Sequence, residues 1–391
     1  MGVRCNKKYT GVNVLNIILI IGFYQTLIFA GIILVRKQKG VSDYFLFGLF
    51  LIYGITLLLG YLELYNRTND YPFPFLINSS TPVIFLHGPA IWFYIKSLTT
   101  QNFRFKSKYL LHFLPFLMVV GLLFLNTYRL SAEERIIMER TEAFKEHITF
   151  PLIISMVAVF TQGYFVWGLI LIRNYKRRIK NYFSEISSID LAWLRILLIT
   201  SAVFYAGTSL LYITDYVFRV FSYHWLQSIG YSYQAVFILV LGYRGYKQGN
   251  VFSSRRVYAN IESLNIHASE ANALKDKDKI FVQELLQQMD IQRPYLNSEI
   301  TLASLSEKLG VTPEYLSFIL NSKLNRNFFD FVNQYRVEEF KRICREENTR
   351  NFTIMGMAWD AGFNSKPTFN RVFKKIAGMT PGEYVKSLNI K

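Results

Sequence analysis

Polar and basic side chains recur at helical spacing in the stretch from Ala361 to Pro381, just after a glycine. Gly362 supplies a turn, because a positive φ is cheap only for glycine, and Ser365 is placed to cap the helix that follows. Pro367 falls in the first turn of that helix, where a missing N–H does no harm. The side chains that lie mostly off its apolar face are Lys366, Thr368, Asn370, Arg371, Lys374 and Lys375. A short helix with one apolar side and one basic, hydrogen-bonding side fits the major groove of DNA.

The other side of this helix predicts a buried apolar face formed by Phe369, Val372, Phe373 and Ile376. On this stretch alone, an ordinary amphipathic surface helix, whose lysines only interact with water, is the alternative. A second stretch, Leu302 to Asn325, repeats the plan and favours DNA binding. There Gly310 marks the turn, Thr312 caps, and Pro313 takes the first helical position. A long helix from about Phe328 to Arg345 joins the two units.

Two such units joined by a helix, and followed by GMTPGEYVKS, closely resemble the DNA-binding domain of AraC-type transcription regulators. The resemblance covers about Lys279 to Ser387. It is specific over DAGFNSKPTFNRVFKKIAGMTP and good over NFFDFVNQYRVEEFKRI. It implies that the Thr312–Lys323 and Ser365–Lys375 helices enter successive major grooves on one face of double-stranded promoter DNA. It also implies regulation of transcription, often by activation beside RNA polymerase.

The base-facing positions of that family fall on both helices. In the first helix they are Glu314, Ser317 and Phe318, and in the second they are Lys366, Thr368, Asn370 and Arg371. Lys374 and Lys375 complete the expected DNA contacts, with Lys374 on phosphate. The sequence departs from the family pattern at Ser306 (usually alanine), Gly356 (which weakens its helix) and Val385 (usually arginine). Phe318 cannot hydrogen-bond a base, so its helix either reads a thymine methyl group or contributes only packing.

The composition indicates a membrane region in addition to nucleic-acid binding. Hydrophobic residues make up 51% and aromatic residues 17% of the 391 residues, which is high for a soluble protein. The formal net charge of +17 has two readings, which are nucleic-acid binding and basic loops that hold membrane helices in place. Both readings apply here. Cys5 and Cys344 are far apart and match no redox or ligand spacing, so neither a disulfide nor a zinc site is expected.

Seven windows in the first part of the chain contain no Asp, Glu, Lys or Arg: Val12–Val35, Tyr44–Leu62, Tyr71–Ile95, Tyr109–Tyr128, Phe150–Ile172, Ile196–Thr214 and Val220–Tyr243. About 20 helical residues cross the roughly 30 Å of hydrocarbon in a bilayer. Buried core helices are the alternative for any single window. The windows predict spans at about 12–35, 44–62, 82–98, 109–128, 150–172, 192–214 and 222–243. The third span begins near Pro82, because the prolines before it disfavour a helix, and Pro89 is expected to kink it.

Basic residues in the connecting loops predict the orientation. They follow the first, third, fifth and seventh spans and are Arg36, Lys37, Lys39, Lys96, Arg104, Lys106, Lys108, Arg173, Lys176, Arg177, Arg178, Lys180, Arg244 and Lys247. The positive-inside rule then places the N-terminus outside and the C-terminus in the cytoplasm, although the loop between spans four and five is also rich in arginine. Arg4, Lys7 and Lys8 are typical of a signal peptide, but the apolar stretch after them is too long and no cleavage site is evident. We therefore predict a membrane span there.

The predicted domains are a membrane domain at 1–246, a juxtamembrane connector at 247–278 and a DNA-binding domain at 279–391. The last contains helix-turn-helix units at about 302–324 and 354–376. A short helix from about Ile280 to Met289 opens it. The connector is polar and has no sustained heptad, and its Arg255 and Arg256 are placed to contact anionic lipid.

No catalytic constellation stands out, since the sequence has no P-loop, dinucleotide fingerprint, HExxH or GxSxG motif. An enzyme, a cofactor and a metal are therefore not expected. The span histidines, which are His87, His112 and His224, fit packing or hydrogen bonding better than metal or proton chemistry. Gln162, Gln227 and Gln234 either hydrogen-bond between helices or line a ligand cavity. Glu63 and Asp215, with Arg67 and Arg219, are either interfacial charges or an external pocket.

The sequence thus predicts an all-α protein, with a polytopic seven-span helix bundle followed by a cytoplasmic double helix-turn-helix domain. The expected function is sequence-specific regulation of transcription from the inner membrane of a bacterial cell. The bundle would sense an unknown small-molecule or peptide signal from outside or from the lipid bilayer. One alternative is a transporter or channel with a regulatory DNA-binding tail, and another is a membrane scaffold that has lost DNA binding. Two reading helices in one chain can bind without a partner, so a homodimer is possible but not required.

Overall fold

Long apolar runs form long helices in the first part of the chain, and short capped helices follow in the last part. The computed structural model describes residues 14–100, 102–252, 275–346 and 352–388. It divides into two compact units, one formed by Met1–Ile172 with Trp193–Ser253 and the other by Arg173–Ala192 with Ser254–Lys391. The described residues are helical apart from loops and one isolated antiparallel bridge between Phe183 and Thr301.

The helices of the first part are α1 Val14–Val35, α2 Val41–Thr68, α3 Thr81–Ile84, α4 His87–Thr99, α5 Leu114–Leu123, α6 Ala132–Arg140, α7 Thr149–Ile179, α8 Ala192–Phe218 and α9 Tyr223–Phe252. Helix α5 is preceded by a 3₁₀ segment, Ser107–Phe113, and continues into a π-helical turn, Phe124–Tyr128. Helix α1 packs along α2 and α9, and α2 also contacts α4. The connector predicted at 247–278 is helical at both described ends, and its middle, with Arg255 and Arg256, lies outside the described residues, as do Arg4, Lys7 and Lys8.

Five stretches of helix are long and apolar enough to cross a membrane: Val14–Val35, Val41–Thr68, Ser107–Tyr128, Thr149–Ile179 and Ala192–Phe218. They correspond to the first, second, fourth, fifth and sixth predicted spans. Helix α9, at the seventh, is 30 residues long but carries several polar side chains, which lower its hydropathy. The third is broken between Ile84 and His87, and α4 alone has 13 residues.

The kink predicted at Pro89 is not where the helix breaks. The break lies at Phe85 and Leu86, ahead of α4, and Pro89 occupies the first turn of α4. A first-turn proline costs no intrahelical hydrogen bond, because the N–H groups there have no partner within the helix. The chain therefore starts a new helix next to the proline instead of bending at it.

Glu63 and Asp215, which the sequence analysis assigned either to interfacial charges or to an external pocket, are buried and paired, and Glu63 lines a small cavity together with Arg67. The Glu63 carboxylate accepts hydrogen bonds from the Ser80 backbone N–H at 2.7 Å and from the Gln227 amide at 3.2 Å. Asp215 pairs with the Lys145 ammonium at 2.7 Å, and all four side chains lie in the first unit. Buried charges need such partners, because their desolvation is costly.

Two of the three span histidines, His87 and His112, make hydrogen bonds within the protein. The Nε2 atom of His87 lies 2.9 Å from the Thr56 hydroxyl, and the Nδ1 atom of His112 lies 2.7 Å from the Tyr164 hydroxyl. The third, His224, has its Nε2 atom 3.9 Å from the Glu139 carboxylate.

The helices of the second unit are α10 Lys275–Gln292, α11 Leu302–Lys308, α12 Pro313–Ser322, α13 Phe328–Arg345, α14 Ile354–Asp360, α15 Lys366–Ala377 and α16 Pro381–Ser387. Helix α10 begins five residues before the predicted Ile280. A fully buried arginine, Arg336, ties this unit together, because its guanidinium donates to the carbonyl oxygens of Tyr295 and Asn297, each at 2.9 Å. Burial lowers the pKa of Arg336 to about 10, so it remains charged at neutral pH.

Candidate nucleic-acid interface

The first helix-turn-helix unit consists of α11 and α12, and its local signals lie where the sequence placed them. Gly310 has a φ of +65° in the turn. The Thr312 side chain caps α12 by accepting a hydrogen bond from the Tyr315 N–H at 3.3 Å, and Pro313 opens the helix. Leu316, Ile319 and Leu320 form the buried face of α12.

The second unit consists of α14 and α15. Gly362 has a φ of +91° in the turn, and the Ser365 hydroxyl caps α15 by accepting from the Thr368 N–H at 3.4 Å. The apolar face of α15 is buried at Phe369, Val372 and Phe373, and Ile376 is only partly buried. Helix α13 joins the two units over the range predicted from the sequence, Phe328 to Arg345.

Most of the α15 residues that are expected to contact DNA are exposed. The exposed residues are Lys366, Asn370, Arg371, Lys374 and Lys375. Two of these side chains already face a carboxylate, since Lys375 lies 3.0 Å from Asp330 and Arg371 lies 4.0 Å from Asp190. Thr368 differs from the others, because it is 1% exposed and its hydroxyl donates to the Glu185 carboxylate at 3.0 Å.

The three residues expected to face bases on α12 are each partly buried. Ser317 accepts a hydrogen bond from the Asn321 amide at 3.3 Å, one helical turn on. Phe318 packs against the core of the second unit, and the Lys323 ammonium lies 6.0 Å from its ring centroid. One carboxylate oxygen of Glu314 is buried and has no hydrogen-bond partner among the described residues. Phe318 thus takes part in the packing of the second unit, and its contact with a thymine methyl group stays a prediction.

The structure adds a group of residues that the sequence analysis treated only as a basic loop between spans five and six. We call residues 180–190 the docking segment. Its backbone accepts hydrogen bonds from the domain, from the Leu302 N–H to the Tyr182 carbonyl and from the Phe329 N–H to the Lys180 carbonyl, each at 2.9 Å. No local sequence pattern predicts these contacts, because each one joins residues that are more than a hundred positions apart.

A model of the helix-turn-helix domain family matches residues 305–387 of this chain. Among the curated proteins, the uncharacterized HTH-type transcriptional regulator YtdP of Bacillus subtilis (strain 168) is 31% identical over 87 residues. Residues 305–387 form an AraC-type helix-turn-helix domain. The match to YtdP covers 22% of this chain and only 11% of that protein, so it concerns the AraC-type domain alone. No solved structure matches the chain significantly. An AraC-type domain indicates a DNA-binding transcription regulator.

The exposed cations on α15 yield a first prediction. Arg371→Ala is expected to weaken binding to a selected duplex by about 1–3 kcal/mol and to relax specificity at one position, if the guanidinium contacts a guanine. Lys374→Ala is the matched control, since it removes an exposed cation from the same helix. It should weaken binding to all sequences and reduce the salt dependence. Titrations of full-length protein in nanodiscs at several salt concentrations measure both effects, and unchanged specific binding in both variants would show that α15 does not read the DNA.

Proposed function

We propose that this chain is a membrane-embedded, sequence-specific transcription regulator, with its helical first unit in the bilayer and its AraC-type domain on promoter DNA in the cytoplasm. The observation that carries the proposal is the presence, in one chain, of five apolar helices of membrane-spanning length and a capped double helix-turn-helix domain. Contact with RNA polymerase and location in a bacterial inner membrane are parts of the same proposal.

We further propose seven crossings, with the N-terminus outside. Although α3 and α4 are separate helices, the chain from Thr81 to Thr99 covers roughly 28 Å at helical rise, close to the thickness of the hydrocarbon. Residues of α4 are almost all buried in protein, where a broken helix is tolerated at membrane depth. Helix α9, at 30 residues, is long enough for the seventh crossing despite its polar side chains.

Genome-wide crosslinking and sequencing of DNA bound to the full-length protein in its membrane tests this function. A few sharp peaks at promoters are expected, and the neighbouring genes would indicate the signal. If the folded, inserted protein gave no peaks under varied growth conditions, the proposal would fail. Uptake of substrate by proteoliposomes would then favour the transporter alternative.

A cavity in the first unit supports the sensing role. It has a volume of about 160 Å³ and lies among the α7, α8 and α9 side chains, including Phe150, Tyr205 and Gln234. Gln234 is 5% exposed, and its carbonyl oxygen has no hydrogen-bond partner among the described residues. A cavity of this size accommodates roughly one aromatic ring. We infer a ligand with a small apolar body and one hydrogen-bond donor, which Gln234 would accept.

Gln234→Leu tests the cavity as the sensor site. The substitution removes the amide that would accept from the ligand, and we expect it to abolish the response of promoter output to an inducing condition while the uninduced output remains. Gln162→Leu is the matched control, because the Gln162 amide bonds the Ala202 carbonyl at 2.9 Å and does not line the cavity. A reporter gene behind a crosslinked promoter measures both variants. A normal response in Gln234→Leu would exclude this cavity.

A further inference from the structure

The docking segment makes a built contact with the AraC-type domain and is part of the same compact unit. Phe183 pairs with Thr301 in an antiparallel bridge, next to the backbone hydrogen bond from Leu302 to Tyr182. Thr301 is the cap of α11, and Leu302 opens that helix. The segment therefore adds a strand-like edge to the start of the first helix-turn-helix unit.

Ser184 anchors the middle of the docking segment. It is 1% exposed, and its hydroxyl donates to the Ile300 carbonyl at 2.8 Å. The Asn333 amide donates to the Ser184 carbonyl at 2.9 Å, and the Arg336 guanidinium lies 3.3 Å from the Ser184 hydroxyl. Because Arg336 also holds Tyr295 and Asn297, the segment is bonded to the same buried network that holds the domain together.

Two carboxylates of the docking segment lie within 4.0 Å of side chains that are expected to contact DNA. Glu185 accepts the Thr368 hydroxyl at 3.0 Å, and Thr368 is buried. One oxygen of Asp190 lies 4.0 Å from the Arg371 guanidinium and 2.7 Å from the Lys176 ammonium. A carboxylate accepts the same hydrogen bonds as a phosphate or a base edge, and it repels phosphate at close range.

The segment also lies near the first reading helix. Tyr182 packs against the core of the second unit. Burial raises the pKa of the Tyr182 phenol, and the nearby negative charge of Glu314 on α12 raises it further. One short segment thus lies beside residues expected to face bases on both α12 and α15.

We propose that the docking segment is an autoinhibitory strap, whose Glu185 and Asp190 carboxylates compete with DNA for Thr368 and Arg371 of the second reading helix. This inference rests on the proposed DNA-binding function and adds its regulation. DNA requires the strap to leave, because Thr368 is buried and bonded while Glu185 occupies it. The apparent affinity then falls with the fraction of molecules in which the strap is released.

The strap also offers a route for the signal. In the sequence it joins α7 to α8, and both helices supply residues that line the cavity of the first unit. A ligand that favours one arrangement of α7 and α8 moves the two ends to which the strap is joined. It thereby changes the free energy of strap release from the AraC-type domain. Release of the strap would raise DNA affinity without any change in the DNA-reading residues themselves.

A reversible crosslink tests the strap in the full-length protein. Phe183→Cys and Thr301→Cys are introduced together with Cys5→Ser. The Cα atoms of an antiparallel pair lie about 4.5–5.5 Å apart, which suits a disulfide. In nanodiscs, the oxidised protein is expected to bind a duplex that its own reduced form selects from a random pool at least roughly tenfold more weakly, and dithiothreitol should restore binding. The comparison is within one variant, so the lost Thr301 cap cancels.

Two variants that each remove one negative charge provide a second test of the same inference. Glu185→Ala is expected to raise DNA affinity several-fold, since it frees Thr368. Glu299→Ala removes one negative charge from an exposed site of the same unit and should have a much smaller effect. Equal gains in both variants would show that only net charge matters and would overturn the inference.

The outcomes distinguish the strap from the proposed function. Equal, specific binding by the oxidised and reduced proteins would overturn the strap and leave DNA binding intact. Absence of specific binding in every form, with the protein folded and inserted, would overturn the proposed function and the strap with it.

Discussion

Phe369→Ala is expected to lower the free energy of unfolding of the AraC-type domain by about 3–5 kcal/mol. The Phe369 ring is 1% exposed and lies 4.8 Å from the Phe340 ring and 5.1 Å from the Phe363 ring, measured between centroids. Its removal leaves a cavity between α13 and α15, which the surrounding rings can fill only in part. Because α15 is held by this face, its DNA contacts should be lost with its packing.

Hydrogen exchange of the full-length protein in nanodiscs measures this prediction at the amides of α13 and α15. Phe352→Ala is the matched control, because Phe352 is 56% exposed and its loss should change stability little. If Phe369→Ala left exchange protection unchanged, the α15 face would not be part of the core. The predicted buried face and the reading side of the helix would then both be misplaced.

Gly362→Ala is expected to destabilise the same domain by roughly 2–5 kcal/mol, through backbone strain and overpacking together. Its φ of +91° is strained for alanine, at about 1–2 kcal/mol. A Cβ atom there would also clash with the Tyr295 carbonyl oxygen and lie 2.9 Å from the Leu296 Cα atom. Both neighbours are backbone, and overpacking of this kind costs about 1–3 kcal/mol. The Tyr295 carbonyl also accepts from Arg336, so the clash would disturb the buried arginine.

Gly310→Ala separates the two contributions to this effect. Gly310 also has a positive φ, of +65°, but an added Cβ atom would meet nothing within 4 Å. It should therefore cost only the backbone strain of about 1–2 kcal/mol. The two variants are compared by thermal unfolding, and separately by hydrogen exchange at the amides of the second unit. Equal losses would mean that the loop at Tyr295 moves away without cost.

The turns and caps of the AraC-type domain could be predicted because their signals are local. Gly362, Thr312 and Ser365 act on residues within a few positions of themselves, so sequence order nearly equals spatial order. Helical periodicity likewise predicted the buried face of α15 and the extent of α13. The AraC-type resemblance adds the pairing of these units into one domain, which the family match over residues 305–387 confirms.

The spans show where local reasoning stops. Length and hydropathy predicted five membrane-length helices that the structure contains. They did not predict the break at Phe85 and Leu86, because it depends on how the short α3 and α4 pack and not on proline alone. The burial of Glu63 and Asp215 was not predicted either. Its desolvation cost is offset by a hydrogen bond from Gln227 and an ion pair with Lys145, and both partners come from distant parts of the chain.

The helical class, the apolar runs and the two capped helices expected to contact DNA could all be predicted from the sequence, since each of these depends on neighbours along one helix or turn. The tertiary structure alone decided what covers those helices. Glu185 and Thr368 are 183 positions apart, and Phe183 and Thr301 meet in a bridge with no pattern in either stretch. The basic residues within 173–180 led only to the prediction of a cytoplasmic loop. Only folding brings the carboxylates that follow them next to Thr368 and Arg371, which are expected to contact DNA, because long-range contacts depend on geometry that no local spacing encodes.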